Sequence, residues 1–366
     1  MAITILQEPT TPNCSKTNLV YQVSASNANI KSQFQYVMDV YVSGSSDRLA
    51  RIRQFPNPLA QAVFDPSRVI DDNLEYYNVF AGSYNVGSYD QIKTFNVEFG
   101  EEYGTSPSSS VTLYPNITND IIEVFPGQID PNNGTSFNFL DSGSAVILSD
   151  RPNGVPECVD AQYRIPFYNG TGGSLNATAS IDASATTIAV GANTFYSQGT
   201  YANPTDGQTL TFTFNGQSID REFKTACNYP CYNFMFINKY GMWENFSTSK
   251  PVRGNVSVSR QNYTQPFVDY GGTGTYDVKR RGQTNFNTSI QEDLTIATDW
   301  LNEQAAEWIT QMIESDQVYV AVSPNNTTFK PIVITNASYV QNTGRKDQKV
   351  FNYDITFRYA NQRRGR

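Results

Sequence analysis

Hydrophobic positions in this chain alternate with polar ones over short distances, and one stretch breaks the rule. Phe234-Met235-Phe236-Ile237 is an unbroken apolar run between the turn residues Pro230 and Gly241. A run of that length predicts a strand buried on both faces. Lys239-Tyr240-Gly241 predicts a turn after it, and the bulky Met242, Trp243 and Phe246 follow. The stretch Cys227 to Phe246 therefore reads as the seam between the front and back of the molecule.

Ahead of it, period-two patterns predict strands. Leu19 to Ser24 is short. Gln33 to Ser43 puts Phe34, Tyr36, Met38, Val40 and Val42 on one face. Arg48 to Gln54 can pair with it across the turn Gly44 to Asp47. Ala60 to Ile70 predicts an irregular crossing or one helical turn around Asp65-Pro66. Lys93 to Glu101 alternates through Phe95, Val97 and Phe99. Further on, Gln162 to Tyr168 and Thr209 to Phe214 predict strands, and Asn215-Gly216 is a two-residue hairpin turn signal. Asn169 to Asn193 is a Gly/Ser/Thr/Ala tract in which Ala183 to Val190 predicts an exposed hairpin.

Behind the seam, Asn255 to Arg260 predicts a short strand and Asp269 to Thr275 a glycine-rich loop. Asp299 to Ser315 carries Trp300, Leu301, Ala305, Trp308, Ile309, Met312 and Ile313 at helical period, with Asp299 as the expected N-cap. Strands are expected at Val318 to Val322, Phe329 to Thr335, Ser338 to Gln341 and Lys349 to Tyr359. The sum is a mainly β protein of two or three β-sandwich-like domains. The expected division is an N-terminal sandwich at 1–128, a middle β domain with a long Gly/Ser/Thr loop at 129–250, and a C-terminal sheet flanked by a single amphipathic helix, residues 299–315, within 251–366.

Composition narrows the function. Charged residues make up 16% of the 366 residues, against roughly 25% in an average soluble protein, and aromatic residues 13%. That mixture suits surfaces that are mostly interface. The net charge of −8 argues against nucleic acid as a direct partner of the whole chain. One local exception is the tail Gln362 to Arg366, whose Arg363, Arg364 and Arg366 could dock on an acidic neighbour. No stretch approaches the roughly 20 apolar residues of a membrane span. The start, MAITILQEPTTPN, lacks the basic and apolar regions of a signal peptide, so synthesis in the cytoplasm is expected.

Candidate chemistry is sparse. The chain has no histidine, which removes His-dependent triads and His-ligated metals. Four cysteines, Cys14, Cys158, Cys227 and Cys231, are expected as free buried thiols. Gly271 to Gly274 lacks the Gly-Lys-Ser/Thr ending of a phosphate loop. The paired carboxylates Asp71-Asp72, Glu101-Glu102 and Glu292-Asp293 have no spacing that separates an acid from a base. No cofactor, no metal and no catalysis are expected. Tyr76, Tyr77, Tyr84 and Tyr89 lie in an Asn/Gly/Ser-rich setting that suits a binding surface. With Trp243 and Phe246 they complete the candidate interface.

Three segments carry a resemblance. They are YNFMFINKYGMWENF, WLNEQAAEWITQMIESDQVYV and PIVITNASYVQNTGRKDQKVFNYDITFRYAN, joined by FQYVMDVYVSG with the later Pro56-Asn57-Pro58 and Phe64-Asp65-Pro66. Together they touch about half the chain, and they resemble virion proteins of tailed bacteriophages and prophages of the Bacteroidetes group, crAss-like phages among them. The resemblance implies a structural subunit of the particle, located in the virion and assembled in the host cytoplasm. A ring or collar component of the neck or tail is the first expectation, with other phage proteins and further copies of itself as partners. The alternative it implies is a tail-fibre component that binds a receptor or host-surface glycan.

Overall fold

The computed structural model describes residues 3–74, 87–89, 92–128, 145–182, 184–192, 194–198, 204–226, 228–266, 282–323, 325–335, 350–361 and 363–364. The protein is mainly β, and its strands gather around separate apolar cores.

The first core lies between a five-stranded and a three-stranded sheet. The larger runs in the order Asn13–Cys14, Thr112–Phe125, Lys93–Gly104, Ser32–Val42, Arg48–Gln54. The smaller is Thr4–Gln7, Tyr21–Ser24 and Gln61–Phe64. The alternation in Ser32–Val42 is used as the sequence implies: Phe34, Tyr36, Met38 and Val40 enter the core beside Phe95, Val97 and Phe99. The opposite face carries Asp39, which is 1% exposed and held by both Nε and Nη2 of Arg51 at 2.7 and 2.6 Å. The crossing after Gln61–Phe64 contains one short helix, Ser67–Asp71.

The second core also lies between two sheets. One has the order Ala145–Ile147, Ile165–Asn169, Thr194–Gln198, Gly87–Tyr89. The other is Glu157–Cys158, Gln217–Lys224, Thr209–Phe214, Leu175–Ile181, Ser184–Val190. Leu210, Phe212 and Phe214 point inward with Phe167 and Phe223. Asn215 and Gly216 take φ of 47° and 76°, the left-handed pair that a tight hairpin needs. The Gly/Ser/Thr tract folds more than expected. Leu175–Ile181 and Ser184–Val190 form a full antiparallel hairpin whose first strand joins the sheet and whose second is an exposed edge.

An eight-stranded sheet forms the C-terminal part. Its order is Trp243–Thr248, Tyr232–Ile237, Val318–Val322, Asn325–Ile334, Asp354–Tyr359, Gln283–Ala297, Val252–Thr264, with Arg363–Arg364 beside Gln283–Ala297. The two strands ahead of residue 250 thus pair into this sheet. The strand Tyr232–Ile237 is covered on both faces. Phe234 and Phe236 pack with Trp308, Ile309 and Met312 of the helix. Met235 and Ile237 pack with Phe125, Tyr168 and Phe195 in a further cluster, to which strands of the other two sandwiches contribute. The turn after it docks on the first domain, where the Gln128 amide donates to the Lys239 carbonyl at 2.8 Å. Gly241, at φ 75°, fits because a Cβ there would sit 1.4 Å from the Pro126 carbonyl oxygen.

Two expectations are corrected. The helix runs Glu303–Glu314, and its N-cap is Asn302, whose side chain accepts from the Ala305 amide at 2.7 Å. Asp299 lies outside it, because Leu301–Asn302 is taken into a short pairing with Val350–Phe351. Trp300 is consequently 67% exposed and not part of the buried helical face. The second correction concerns the thiols. Cys158 and Cys231 form a disulfide across 73 residues, with Cα atoms 6.4 Å apart, and Cys14 is free and buried. Cys227 lies outside the described residues, as do the glycine-rich loop at 269–275 and the strand expected at 338–341.

Replacing Asn302 with Ala removes a capping hydrogen bond and should cost about 1 kcal/mol in urea unfolding, whereas Asp299→Ala should leave the helix cap intact. Equal losses for the two would contradict this placement of the helix start. Reduction of the disulfide, or Cys231→Ser, should lower stability by about 2–4 kcal/mol, since it frees a long loop in the unfolded chain. A urea midpoint indifferent to reductant would argue against the bond.

Candidate assembly surface

Val252–Thr264 and Gln283–Ala297 are the longest exposed feature among the described residues. Their pairing is antiparallel from Val252↔Ile296 to Thr264↔Gln283, with one irregularity at Gln261/Asn262. At its base the second strand pairs with Asp354–Tyr359, but only from Asp293 to Ala297. Beyond that point the two strands continue as a ribbon, supported on one edge by Arg363–Arg364 against Ser289 and Ile290. Thirteen residues in extended form span about 40 Å. Every residue of the first strand after Val252 is exposed, so no layer covers either of its faces.

The ribbon is not a polar surface strand. Val256 is 58% exposed, Val258 42%, Tyr263 42% and Phe286 64%. The Tyr263 and Phe286 rings lie 6.2 Å apart. At the foot, a groove is lined by Val256, Ile290, Phe329, Lys330, Arg358 and Tyr359. A two-stranded hairpin is marginal by itself in water, and a long apolar edge strand is a pairing template. Sequence reasoning caught only Asn255 to Arg260 of this feature. The rest is Ser, Thr, Asn and Gln, which carry no core-facing signal.

The ribbon projects from a body that is fixed by a buried charged cluster. Arg151 and Arg221 both reach the Glu157 carboxylate, at 2.9 and 3.0 Å, and none of the three side chains is exposed. Asn245, on the central hairpin, donates to Glu157 at 2.8 Å and accepts from Arg221 at 3.1 Å. Arg151 also lies over the Trp308 ring at 5.0 Å. Its guanidinium is pushed down to about 10 by burial and by the neighbouring Arg221. Glu244 accepts from Ser149 and, at 3.2 Å, from Asn238. Burial raises its carboxyl above the ordinary value of 4.5, against the opposing pull of Arg221. The cluster joins the middle sandwich to the central hairpin and the helix. Its members were invisible in the sequence because no local pattern marks them.

The candidate interface residues fall in different places. Trp243 and Phe246 are 4% and 3% exposed, and both serve the chain's own cores, Trp243 against Tyr319 and Phe246 against Trp308. They are not interface residues of this surface. Tyr89 is in a strand paired with Phe195 and not in a loop. Arg363 and Arg364 form a strand on the ribbon, so the basic tail is tied there to its own chain. Tyr76, Tyr77, Tyr84 and Arg366 lie outside the described residues. Of the carboxylate pairs, Asp71 accepts from Ser15 at 2.6 Å, Glu101 from Asn27 at 2.8 Å and Glu102 from Arg53 at 2.6 Å. Among the described residues no group of three or more His, Cys, Asp or Glu side chains could hold a metal ion, and no helix is long and apolar enough to cross a membrane.

No known protein family matches the chain, and no curated protein is similar to it. Among solved structures, a protein of unknown function from Porphyromonas gingivalis W83 is similar at 11% identity, over 61% of this chain and 100% of its own, with a TM-score of 0.14. A likeness of that size carries no argument about function.

The Glu244 site makes a pH prediction with a definite sign. A carboxyl whose folded pKa is raised contributes most below its unfolded value, and the contribution is lost as the pH climbs through the folded pKa. The urea midpoint of the wild type should therefore fall relative to that of Glu244→Gln as the pH rises from 4.5. A constant gap between the two proteins from there to about pH 8 would show that Glu244 does not bind a proton on folding.

Proposed function

We propose that the chain is a structural subunit of a tailed-phage virion, a ring or collar component that acts through protein–protein assembly with copies of itself and with other phage proteins. The observation that carries the assembly role is the ribbon of Val252–Thr264 and Gln283–Ala297. Its strands leave Val256, Val258, Tyr263 and Phe286 in solvent on one continuous projecting element. Exposed apolar side chains on a ribbon with no covering layer mark a surface that is completed by a neighbour. The phage assignment rests on the sequence resemblance. The low charge and high aromatic content support it as a composition suited to interfaces. The alternative, a tail fibre that binds a receptor or glycan, rests on the tyrosines Tyr76, Tyr77, Tyr84 and Tyr89, of which the structure describes only Tyr89, in a paired strand.

Two measurements test this reading. Antibody to the chain should place gold at the neck or tail shaft of purified particles, and absence of label on intact and disrupted particles would reject the virion role. Replacing residues 257–291 with an Asn-Gly turn, which joins the paired Val256 and Glu292, should leave the melting temperature of the body within a few degrees and abolish incorporation into particles. Normal incorporation of the shortened chain would reject the ribbon as the assembly element.

A further inference from the structure

The distal ribbon is positively charged on a negatively charged molecule. Residues 257–264, 283–290 and 363–364 include Arg260, Arg363 and Arg364 and no Asp or Glu, whereas the whole chain has a net charge of −8. A surface of opposite character lies on the same molecule. The helix Glu303–Glu314 has no Lys or Arg. Its exposed Glu303, Glu307 and Glu314 are spaced at four and seven residues, which places them within one helical face. Three residues before Glu303 stands Trp300, 67% exposed. An indole so far in solvent is unusual, and tryptophan and arginine are the residues that most often anchor interfaces.

We propose that the acceptor of the ribbon is a second copy of this chain, with the ribbon of one copy lying on the Trp300 and Glu303–Glu307 surface of the next. This deepens the assembly reading and rests on it. The chemistry is complementary on both sides. Guanidinium groups can stack on the face of Trp300 and pair with the glutamate carboxylates. The exposed Val256 and Val258, on the same face of the ribbon as Arg260, would lose water against the same neighbour. The two surfaces are different parts of one chain, so the contact is head-to-tail and repeats from copy to copy, which builds a ring where the rotation between copies closes. Because the chain as a whole is acidic, the contact also directs the basic ribbon onto a neighbour and away from its own kind.

The test uses the full chain and two charge-reversed variants. One is Arg260→Glu with Arg363→Glu and Arg364→Glu, and the other is Glu303→Arg with Glu307→Arg. Each variant alone should self-associate about tenfold or more weakly than the wild type in sedimentation at low salt. Mixing the two should restore association to near the wild-type level, because the reversed ribbon of one meets the reversed helix of the other. Trp300→Ala should weaken the wild type and the mixture alike. An unrestored mixture, while the wild type still associates, would overturn this contact and leave the assembly reading standing. A wild type that stays monomeric at every concentration would overturn both. A single-stranded oligonucleotide that binds the wild type and not the ribbon variant would assign the basic ribbon to nucleic acid instead, and the proposal would fail.

Discussion

Two guanidinium groups converge on one carboxylate in the dry interior, and the arrangement of the molecule depends on that contact. Removing three charges from water costs several kcal/mol for each ion before any attraction is counted. The cost is offset only if Arg151, Arg221, Glu157 and Asn245 keep their places to within hydrogen-bond tolerance. Glu157 and Arg221 stand on neighbouring strands of the middle sandwich, Arg151 in the loop ahead of them and Asn245 on the eight-stranded sheet, so holding them together also fixes the two sheets. The middle sandwich is set against the central hairpin through Asn245, and the helix against both through the ring of Trp308. Apolar packing holds the layers by shape, and the charged cluster adds a directional constraint, because its hydrogen bonds are met only in one arrangement.

The central strand works on the same principle from the apolar side. Phe234 and Phe236 have one cover and Met235 and Ile237 another, so Tyr232–Ile237 lies between two apolar clusters. The glycine at 241 admits the close approach to Pro126 that brings the first domain to the seam. Glu244 sits on the same hairpin, with a carboxyl kept largely from solvent and a correspondingly raised affinity for a proton. Core, turn and charge thus meet within about twenty residues of chain.

The sequence was most legible where one side of a strand is wet and the other dry. Ser32–Val42, Thr209–Phe214 and the Asn215-Gly216 turn follow directly from period-two patterning and turn chemistry. The double-faced strand was legible for the opposite reason, an unbroken apolar run. The helix start was misplaced by three residues because Asp299 and Asn302 are both good caps, and only the pairing of Leu301–Asn302 with Val350–Phe351 decides between them. The disulfide was missed because its cysteines are far apart in the chain, and spacing says nothing about a contact made by folding. Trp243 and Phe246 looked like interface anchors since large aromatics suit both roles, and burial alone tells them apart. The ribbon was the hardest to see. Strands that touch no core leave no hydrophobic period, so half of the candidate surface is written in Ser, Thr, Asn and Gln.

The irregularity at Gln261/Asn262 bears on size. An extra residue in one strand of a ladder bends it and increases its right-handed twist. Tyr263 also has the opposite parity to Val256 and Val258, so the far end of the ribbon turns a different face outward from the near end. In a head-to-tail ring, the rotation relating one subunit to the next depends on the direction in which its projecting element meets the acceptor surface. That rotation must divide a full circle by a whole number. In the ring proposed above, the extra residue near Phe286 would then be one of the features that set how many subunits the circle holds.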